Sequence, residues 1–96
     1  MTIYKLELLP SARKEWDKLD PSIRDQFAKK LRDRLRDPKI PSAQLSGMLD
    51  CYKIKLRAAG YRLVYRVDDG RVTVIVIAVG RRDRNLVYKL AAGRLG

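Results

Sequence analysis

The chain has 96 residues, with 22 lysines and arginines against 11 aspartates and glutamates, so its net charge is +11 and its pI about 10.2. An apolar fraction of 46% is ordinary for a globular protein and excludes intrinsic disorder. With no histidine and one cysteine, the composition excludes histidine-based acid–base chemistry and argues against a disulfide or a zinc site. The charge favours an anionic partner: nucleic acid, an acidic membrane surface or an acidic protein.

The length predicts a single domain spanning residues 1–96. The apolar run "VTVIVIAV" is far shorter than the roughly 18 residues of a membrane-spanning helix. The opening "MTIYKLELLP" lacks the pattern of a signal peptide. Since the one cysteine also suits a reducing compartment, we expect a cytoplasmic protein that does not enter a membrane.

The first predicted elements are a strand and a helix. "YKLELL" alternates as a strand does, and it places Tyr4, Leu6 and Leu8 on one face. Pro10 and Ser11 then mark a break and a helix cap before "ARKEWDKL", whose apolar residues have helical spacing.

A second helix follows, with Asp20 as its N-cap and Pro21 as its first residue, and it should run to about Asp37. Its apolar side is formed by Ile23, Phe27, Leu31 and Leu35. Its other side carries Arg24, Lys29, Arg32 and Arg36.

From about Leu49 the pattern changes to a period of two, which predicts three strands in "DCYKIKLR", "YRLVYRV" and "RVTVIVIAV". The links "AAG" and "DDG" are short enough for hairpin turns. The last strand is apolar on both faces, as expected of a central strand. A short helix from about Asn85 to Ala92 ends the chain. The predicted fold class is α+β: an N-terminal strand, an antiparallel helical hairpin packed on a small, mainly antiparallel sheet, and a C-terminal helix, in two layers.

Five cations alternate along the first predicted hairpin. Since successive strand residues point to opposite faces, Lys53, Lys55 and Arg57 share the face that lies away from the core. Arg62 and Arg66 share it on the next strand, about 5 Å away, so all five should form one patch on the open face of the sheet. The patch is either a solvated strand face or an anion site. The absence of any carboxylate in residues 51–67 favours the anion site, because a surface built for solubility mixes both signs.

The stretch "GRRDRNLVY" leaves the central strand with Arg81, Arg82 and Arg84, followed by Tyr88 in the tail helix. If this strand lies beside the basic hairpin, Arg82 and Tyr88 reach the rim of the patch. An aromatic ring among cations suits nucleic acid, since the ring stacks a base while the cations hold phosphates. The alternative is that Tyr88 packs on the edge of the core.

Together "LSGMLDCYKIKLR", "GYRLVY" and "VIVIAVGRRDRNLVY" resemble the RelE toxins of the RelE/ParE superfamily, and the likeness covers nearly the whole chain, including "ARKEWDKLD" and "IRDQFAKKL". The resemblance implies the RelE-like microbial RNase fold and a ribosome-dependent endoribonuclease that cuts mRNA in the A site and inhibits translation. Matching by motif gives a catalytic set of Lys53, Lys55, Arg62, Arg82 and Tyr88. "RRDR" stands where RelE tends to have Lys and Glu interspersed, and this departure touches no member of the set.

The chemistry implied by the resemblance is attack of a ribose 2′-OH on the adjacent phosphate, leaving a 2′,3′-cyclic phosphate and a 5′-OH, with no metal or cofactor. Our hypothesis makes Lys55 the general base, because neighbouring cations favour the neutral form of a lysine. Further RNA or rRNA contacts are assigned to Arg57, Arg66, Arg81, Arg84, Lys29, Arg32 and Arg36. For the helix cations a plain solvated face is the alternative.

The resemblance implies two partners. One is the ribosome, through its rRNA and A-site mRNA, and the other is a RelB-like antitoxin that wraps the toxin and brings it to operator DNA. Three rival interpretations stand beside the endoribonuclease: a ParE-like gyrase poison, which shares the fold but lacks this cationic set, a nucleic-acid-binding module without chemistry, and an inactive toxin.

Overall fold

The computed structural model describes residues 2–95, apart from the side chain of Arg84. The elements, in chain order, are β1 (Lys5–Leu8), α1 (Pro10–Asp17), α2 (Pro21–Arg36), β2 (Cys51–Leu56), β3 (Tyr61–Asp68), β4 (Thr73–Arg81) and α3 (Leu86–Leu95). Short 3₁₀ turns, Pro41–Ala43 and Asp83–Asn85, precede β2 and α3. The strands form one sheet in the order β1-β4-β3-β2, in which β1 is parallel to β4 and the other neighbours are antiparallel. The predicted α+β element order is therefore confirmed.

The helix ends differ slightly from the prediction. The predicted cap at Pro10 and Ser11 is wrong: Leu9 is the N-cap of α1, and the proline is its first residue, a position that suits its fixed φ. Asp20 does precede α2 as its N-cap, although its carboxylate makes no capping hydrogen bond. The tail helix runs to Leu95, three residues beyond the predicted end.

The main core lies between the sheet and the helices α1 and α2. Phe27 and Leu31 of α2 are buried against side chains from every other position of the strands, such as Ile54 and Leu63. Trp16 of α1 closes the core beside Phe27, with 6.4 Å between the ring centroids. Alternation in β2 and β3 thus buries one face on this core and leaves the basic residues on the other.

A second, smaller core lies on the opposite face of the sheet, where α3 packs. It is formed by Cys51, Val64, Ile77, Ala78, Val87 and Ala91. Gly80 permits the close approach, since a Cβ there would lie 3.4 Å from Val87 Cγ2. The predicted two-layer arrangement with an open face is therefore wrong, because β4 is apolar on both faces and both are covered. None of the helices within residues 2–95 is long and apolar enough to cross a membrane.

A β-bulge in β4 changes which side chains face which core. Val64 pairs with Ala78 while Tyr65 pairs with Val76, so Ile77 is an extra residue without a partner in β3. Ile77 and Ala78 consequently both belong to the second core, whereas Val76 and Val79 belong to the main one. A one-residue insertion reverses the alternation of everything that follows. The bulge therefore determines the face on which the end of β4 presents its side chains.

Candidate functional site: a cationic pocket beside the C-terminal helix

A concave pocket of about 500 Å³ lies on the α3 side of the sheet. It is lined by Lys53, Lys55, Arg62, Arg82, Asn85 and Tyr88. The structure thus brings together all five residues that the motifs single out, and it adds an asparagine. No carboxylate lines this pocket within the described part of the chain. Four cations and no acid make it a site for an anion.

Strand pairing and a turn position the cationic side chains. Lys55 of β2 lies directly opposite Arg62 of β3 in the antiparallel register. The backbone N–H of Arg82 donates to the carbonyl of Gly60 at 2.9 Å. Gly60 has a φ of +72°, which glycine adopts readily, so the turn between β2 and β3 can bend to receive this bond. The bulge places Arg82 on the pocket side, while Arg81 lies on the other face with its guanidinium 5.6 Å from the ring centroid of Tyr61.

The pocket is closed by the start of α3. Asn85 adopts a φ of +59°, a left-handed conformation that asparagine tolerates better than most residues. Its backbone N–H donates to the carbonyl of Arg82 at 3.3 Å, and α3 begins at the next residue, which brings Tyr88 over the pocket in the first turn. Sequence analysis missed Asn85 as a site residue, although an asparagine between a charged turn and an apolar helix is a signal for such a bend.

Arg62 is a buried cation, with 6% of its surface exposed. Its guanidinium donates to the carbonyl of Tyr61 at 2.9 Å, and no carboxylate pairs with it among residues 2–95. Arginine is rarely buried without an anion, because removing a charge from water costs free energy that a partner normally offsets. Arg62 is therefore a cation whose charge no carboxylate balances in the described part of the chain, and it lines the pocket.

The pKa of Lys55 is lowered from its ordinary value. The largest cause is the positive charge of Lys53, followed by desolvation and then by the charges of Arg57 and Arg62. Each of these disfavours a second ammonium ion. The clustering of like charges therefore increases the fraction of Lys55 that is neutral and able to accept a proton.

Arg34 of α2 holds the backbone of Lys53 from the opposite side of β2. Its Nη1 donates to the Lys53 carbonyl at 3.2 Å and to the Tyr65 hydroxyl at 2.9 Å. That hydroxyl in turn donates to the carbonyl of Pro38 at 2.6 Å, and burial raises the pKa of Tyr65. Because β2 is an edge strand, Arg34 occupies a carbonyl that would otherwise face the free edge. In sequence this residue is indistinguishable from its solvated basic neighbours.

Two members of the predicted five-cation patch do not line the pocket, although the charge of Arg57 contributes to the lowered pKa of Lys55. Arg57 follows the end of β2 and lines a neighbouring cavity of about 380 Å³, which shares Lys55 with the pocket. Arg66 is exposed and lines another, of about 320 Å³, near Leu95. The physical reason is that the residue between Arg62 and Arg66 on this face is an apolar valine, Val64, which α3 covers.

The remaining predicted RNA contacts are spread over the surface. Lys29, Arg32 and Arg36 are exposed on α2, which lies across the sheet from the pocket. Lys30 approaches Lys55 around the β2–β3 turn, since both line the cavity of Arg57. The side chain of Arg84 lies outside the described residues.

Comparison with known proteins shows the family and the fold. A family model, described as the ParE toxin of the type II toxin–antitoxin system parDE, matches residues 6–86. The chain is 51% identical over 92 residues to the mRNA interferase toxin RelE of Escherichia coli, which covers 96% of this chain and 97% of that protein. A double mutant of E. coli RelE in the free state superposes with a TM-score of 0.92 at 47% identity, covering 99% of this chain and 100% of that one. A chain of the crystal structure of the intact E. coli RelBE toxin–antitoxin complex gives a TM-score of 0.82 at 52% identity, covering 84% and 99% respectively.

Proposed function

Because the chain belongs to the RelE group of the RelE/ParE superfamily of type II toxins, we propose that it is an mRNA interferase that cleaves mRNA in the ribosomal A site and so inhibits translation. It acts as a single domain in the cytoplasm. The observation that carries the proposal is the pocket itself: four cations and a tyrosine converge on it, and one of the cations, Arg62, is buried with a single backbone carbonyl and no carboxylate as its partner among residues 2–95.

The reaction we propose is attack of the ribose 2′-OH on the adjacent phosphate, giving a 2′,3′-cyclic phosphate and a 5′-OH. It needs a base for the 2′-OH, neutralisation of the charge that develops on the phosphorane, and stabilisation of the leaving oxygen. Lys55, whose pKa is lowered, is the base. Lys53 and Arg62 hold the phosphate.

Arg82 stabilises the leaving 5′ oxygen electrostatically, because a guanidinium of pKa above about 12 is a poor proton donor. Tyr88 stacks on the nucleotide or orients it. A divalent cation would be repelled by the cationic lining, so these side chains supply all the positive charge and the reaction is independent of metal. The ribosome contributes by holding the codon in the in-line geometry that an open pocket cannot impose alone.

Two partners follow from this function. The ribosome binds through its rRNA and A-site mRNA, and the relative crystallised as the RelBE complex supports a RelB-like antitoxin as the second partner. An acidic or amphipathic antitoxin would relieve the repulsion of a +11 chain. Contact with operator DNA is made only through that antitoxin.

The test is to add the protein to a translating extract and to map mRNA 5′ ends by primer extension. We expect cuts in register with codons, persisting in EDTA-treated stalled ribosome complexes that are stabilised by polyamine. Lys55→Ala should lower the cleavage rate by about 10²- to 10⁴-fold, the usual contribution of a general base, and Arg82→Ala should abolish the cuts. The matched control is Arg71→Ala, which removes an exposed cation that pairs with Glu7 at the far end of β4 and should leave the cuts unchanged.

Two other outcomes would contradict the proposal. The family model that matches carries the ParE description, so a gyrase poison is the second candidate; it would leave the message intact and trap gyrase–DNA breaks. Intact message with simple retention of RNA would instead identify a binding module without chemistry.

A further inference from the structure

The edge of β4 is only partly covered by β1. The parallel pairing ends at Leu8 opposite Val76, and one further bond joins the Leu9 N–H to the Val76 carbonyl at 3.0 Å. From Ile77 onward β4 has no strand on that side within the described residues. The stretch without a strand partner on this side begins at the bulge, on which the orientation of Arg82 depends.

One ion pair covers this stretch of edge. Arg94, in the last turn of α3, donates two hydrogen bonds to the carboxylate of Glu15 in α1. Its Nη1 donates to Oε1 at 2.8 Å and its Nη2 to Oε2 at 3.1 Å. Arg94 Nη1 also donates to the carbonyl of Ile77 at 2.8 Å. The backbone N–H of Val79 donates to Glu15 Oε1 at 3.2 Å. The pair therefore binds the polar groups that the bulge leaves without strand partners.

Among the ion pairs of residues 2–95 this is the most buried, with side chains 20% and 25% exposed, whereas the others lie between 43% and 65%. The contact with Glu15 raises the pKa of Arg94. Bidentate and partly buried pairs fix geometry much better than solvated ones. The helices it joins pack on opposite faces of the sheet, so the pair reaches around the edge and fastens α3 as well as the bulge.

We propose that Glu15 and Arg94 are positioning residues of the catalytic pocket. They keep the bulge of β4 at Ile77 and anchor α3 to the sheet. Arg82 and Tyr88 are thereby held beside the lysines of β2. The proposal rests on the function proposed above. Neither residue touches the pocket. Their effect passes through the Ile77 carbonyl and the Val79 N–H on one side, and through the helix that begins beside Tyr88 on the other.

The kinetic test compares Arg94→Ala, Arg94→Lys and Glu15→Gln with two controls in ribosome-dependent cleavage. We expect Arg94→Ala to lower kcat by about 10- to 100-fold, as a misplacement of about 1 Å does. The KM for programmed ribosomes should stay within about twofold, because the surface cations that dock the ribosome are untouched. Arg94→Lys keeps the positive charge but lacks the two parallel donors of the guanidinium. Its kcat should therefore lie between those of Arg94→Ala and the parent protein.

The controls separate positioning from simple loss of stability. Arg71→Ala breaks another two-bond pair, with Glu7, and should leave kcat within about twofold. Ile23→Val destabilises the main core far from the bulge and should also leave kcat unchanged under conditions where circular dichroism shows a folded protein. The proposal is overturned if Arg94→Ala is folded and retains full kcat. It is also overturned if Ile23→Val lowers kcat by as much as Arg94→Ala does.

A second measurement does not depend on activity. Amide hydrogen exchange should accelerate at least about tenfold at Val79 and along α3 in Arg94→Ala, while the amides of α2 keep the protection set by global stability. If Arg94→Ala does not fold, Glu15→Gln gives the same comparison with a milder change. Unchanged exchange at these amides overturns the positioning role. Unaltered cleavage by Lys55→Ala and Arg82→Ala would instead show that the proposed function is wrong, and the exchange data would then judge the ion pair alone.

Discussion

At the scale of single residues, the pocket depends on charges that raise each other's energy. Lys55 has a lowered pKa because Lys53 and two arginines surround it. On an ordinary protein surface this clustering of like charges would be unfavourable, because the cations repel one another. Here it favours the neutral form of Lys55, which the proposed function requires of a base, at the cost of repulsion that an incoming anion would relieve.

This account predicts the pH dependence of Lys53→Met. A base must be neutral, so the single-turnover rate of ribosome-bound cleavage should rise with pH up to the pKa of Lys55. Removing Lys53 removes the largest cause of the lowered pKa, so that pKa should increase and the rising limb should move to higher pH. Arg66→Gln, which removes a sheet cation that lines a different cavity, should not move the limb. An unchanged profile in Lys53→Met would contradict the assignment of Lys55 as the base.

At the scale of elements, charged side chains cover the free edges of the sheet. Arg34 covers β2 at the carbonyl of Lys53, and the Glu15–Arg94 pair covers β4 beyond β1. Exposed strand edges invite pairing with other chains, and charges placed on them prevent it. In this protein the same side chains contact β2 and β4, two of the three strands that position the pocket.

The contrast between Arg34, which is half-buried, and Arg62, which is buried, gives an element-scale prediction. Arg34→Met leaves the Lys53 carbonyl and the Tyr65 hydroxyl without their donor, so it should lower the free energy of unfolding by about 1–3 kcal/mol. Arg62→Met removes a buried cation whose protein partner is a single carbonyl, so it should raise that free energy by about 1 kcal/mol while abolishing cleavage. Urea titrations of both variants in low-salt buffer measure the difference. If both substitutions change the free energy of unfolding in the same direction, Arg62 is stabilised within the protein and is not held for a ligand.

Much of this architecture follows from sequence pattern, and the failures have identifiable causes. Period-two alternation located three strands and the basic face, because each side chain on a half-buried strand reports its own burial. The bulge at Ile77 was not predictable, since an apolar residue satisfies either face of a strand that is buried on both sides. Neither were Arg34 and Arg94, because a hydrogen bond to a distant backbone carbonyl leaves no trace in the spacing of a helix. Five of the six pocket residues came from motif resemblance, whereas alternation alone does not distinguish them from Arg57 and Arg66, which line other cavities.

At the scale of the whole molecule, the pocket and the basic side of α2 lie on different faces of the sheet, and Lys30, Lys55 and Arg57 lie between them around the β2–β3 turn. The proposed function therefore assigns docking and chemistry to different side chains. The two contributions should be separable by mutation.

The prediction concerns salt. Replacing Lys29, Arg32 and Arg36 together by glutamine should reduce the slope of log affinity for the ribosome against log salt concentration by about 2–3, since each lost phosphate contact removes about 0.7–0.9. The kcat at saturating ribosomes should stay unchanged. Arg71→Gln, whose charge is already balanced by Glu7, serves as the control and should leave the slope as it is. A triple variant with the parent's slope would show that the α2 cations are merely solvated.

The second core contains the chain's one thiol. Cys51 is fully buried beneath α3, beside Val87 and Ala91, and burial raises its pKa. Because α3 covers the thiol, a reagent that attacks thiolates should reach it when α3 leaves the sheet. The rate of Cys51 alkylation in the native protein should therefore report how often α3, the helix that carries Tyr88, separates from the sheet. The protein needs no added label for this measurement.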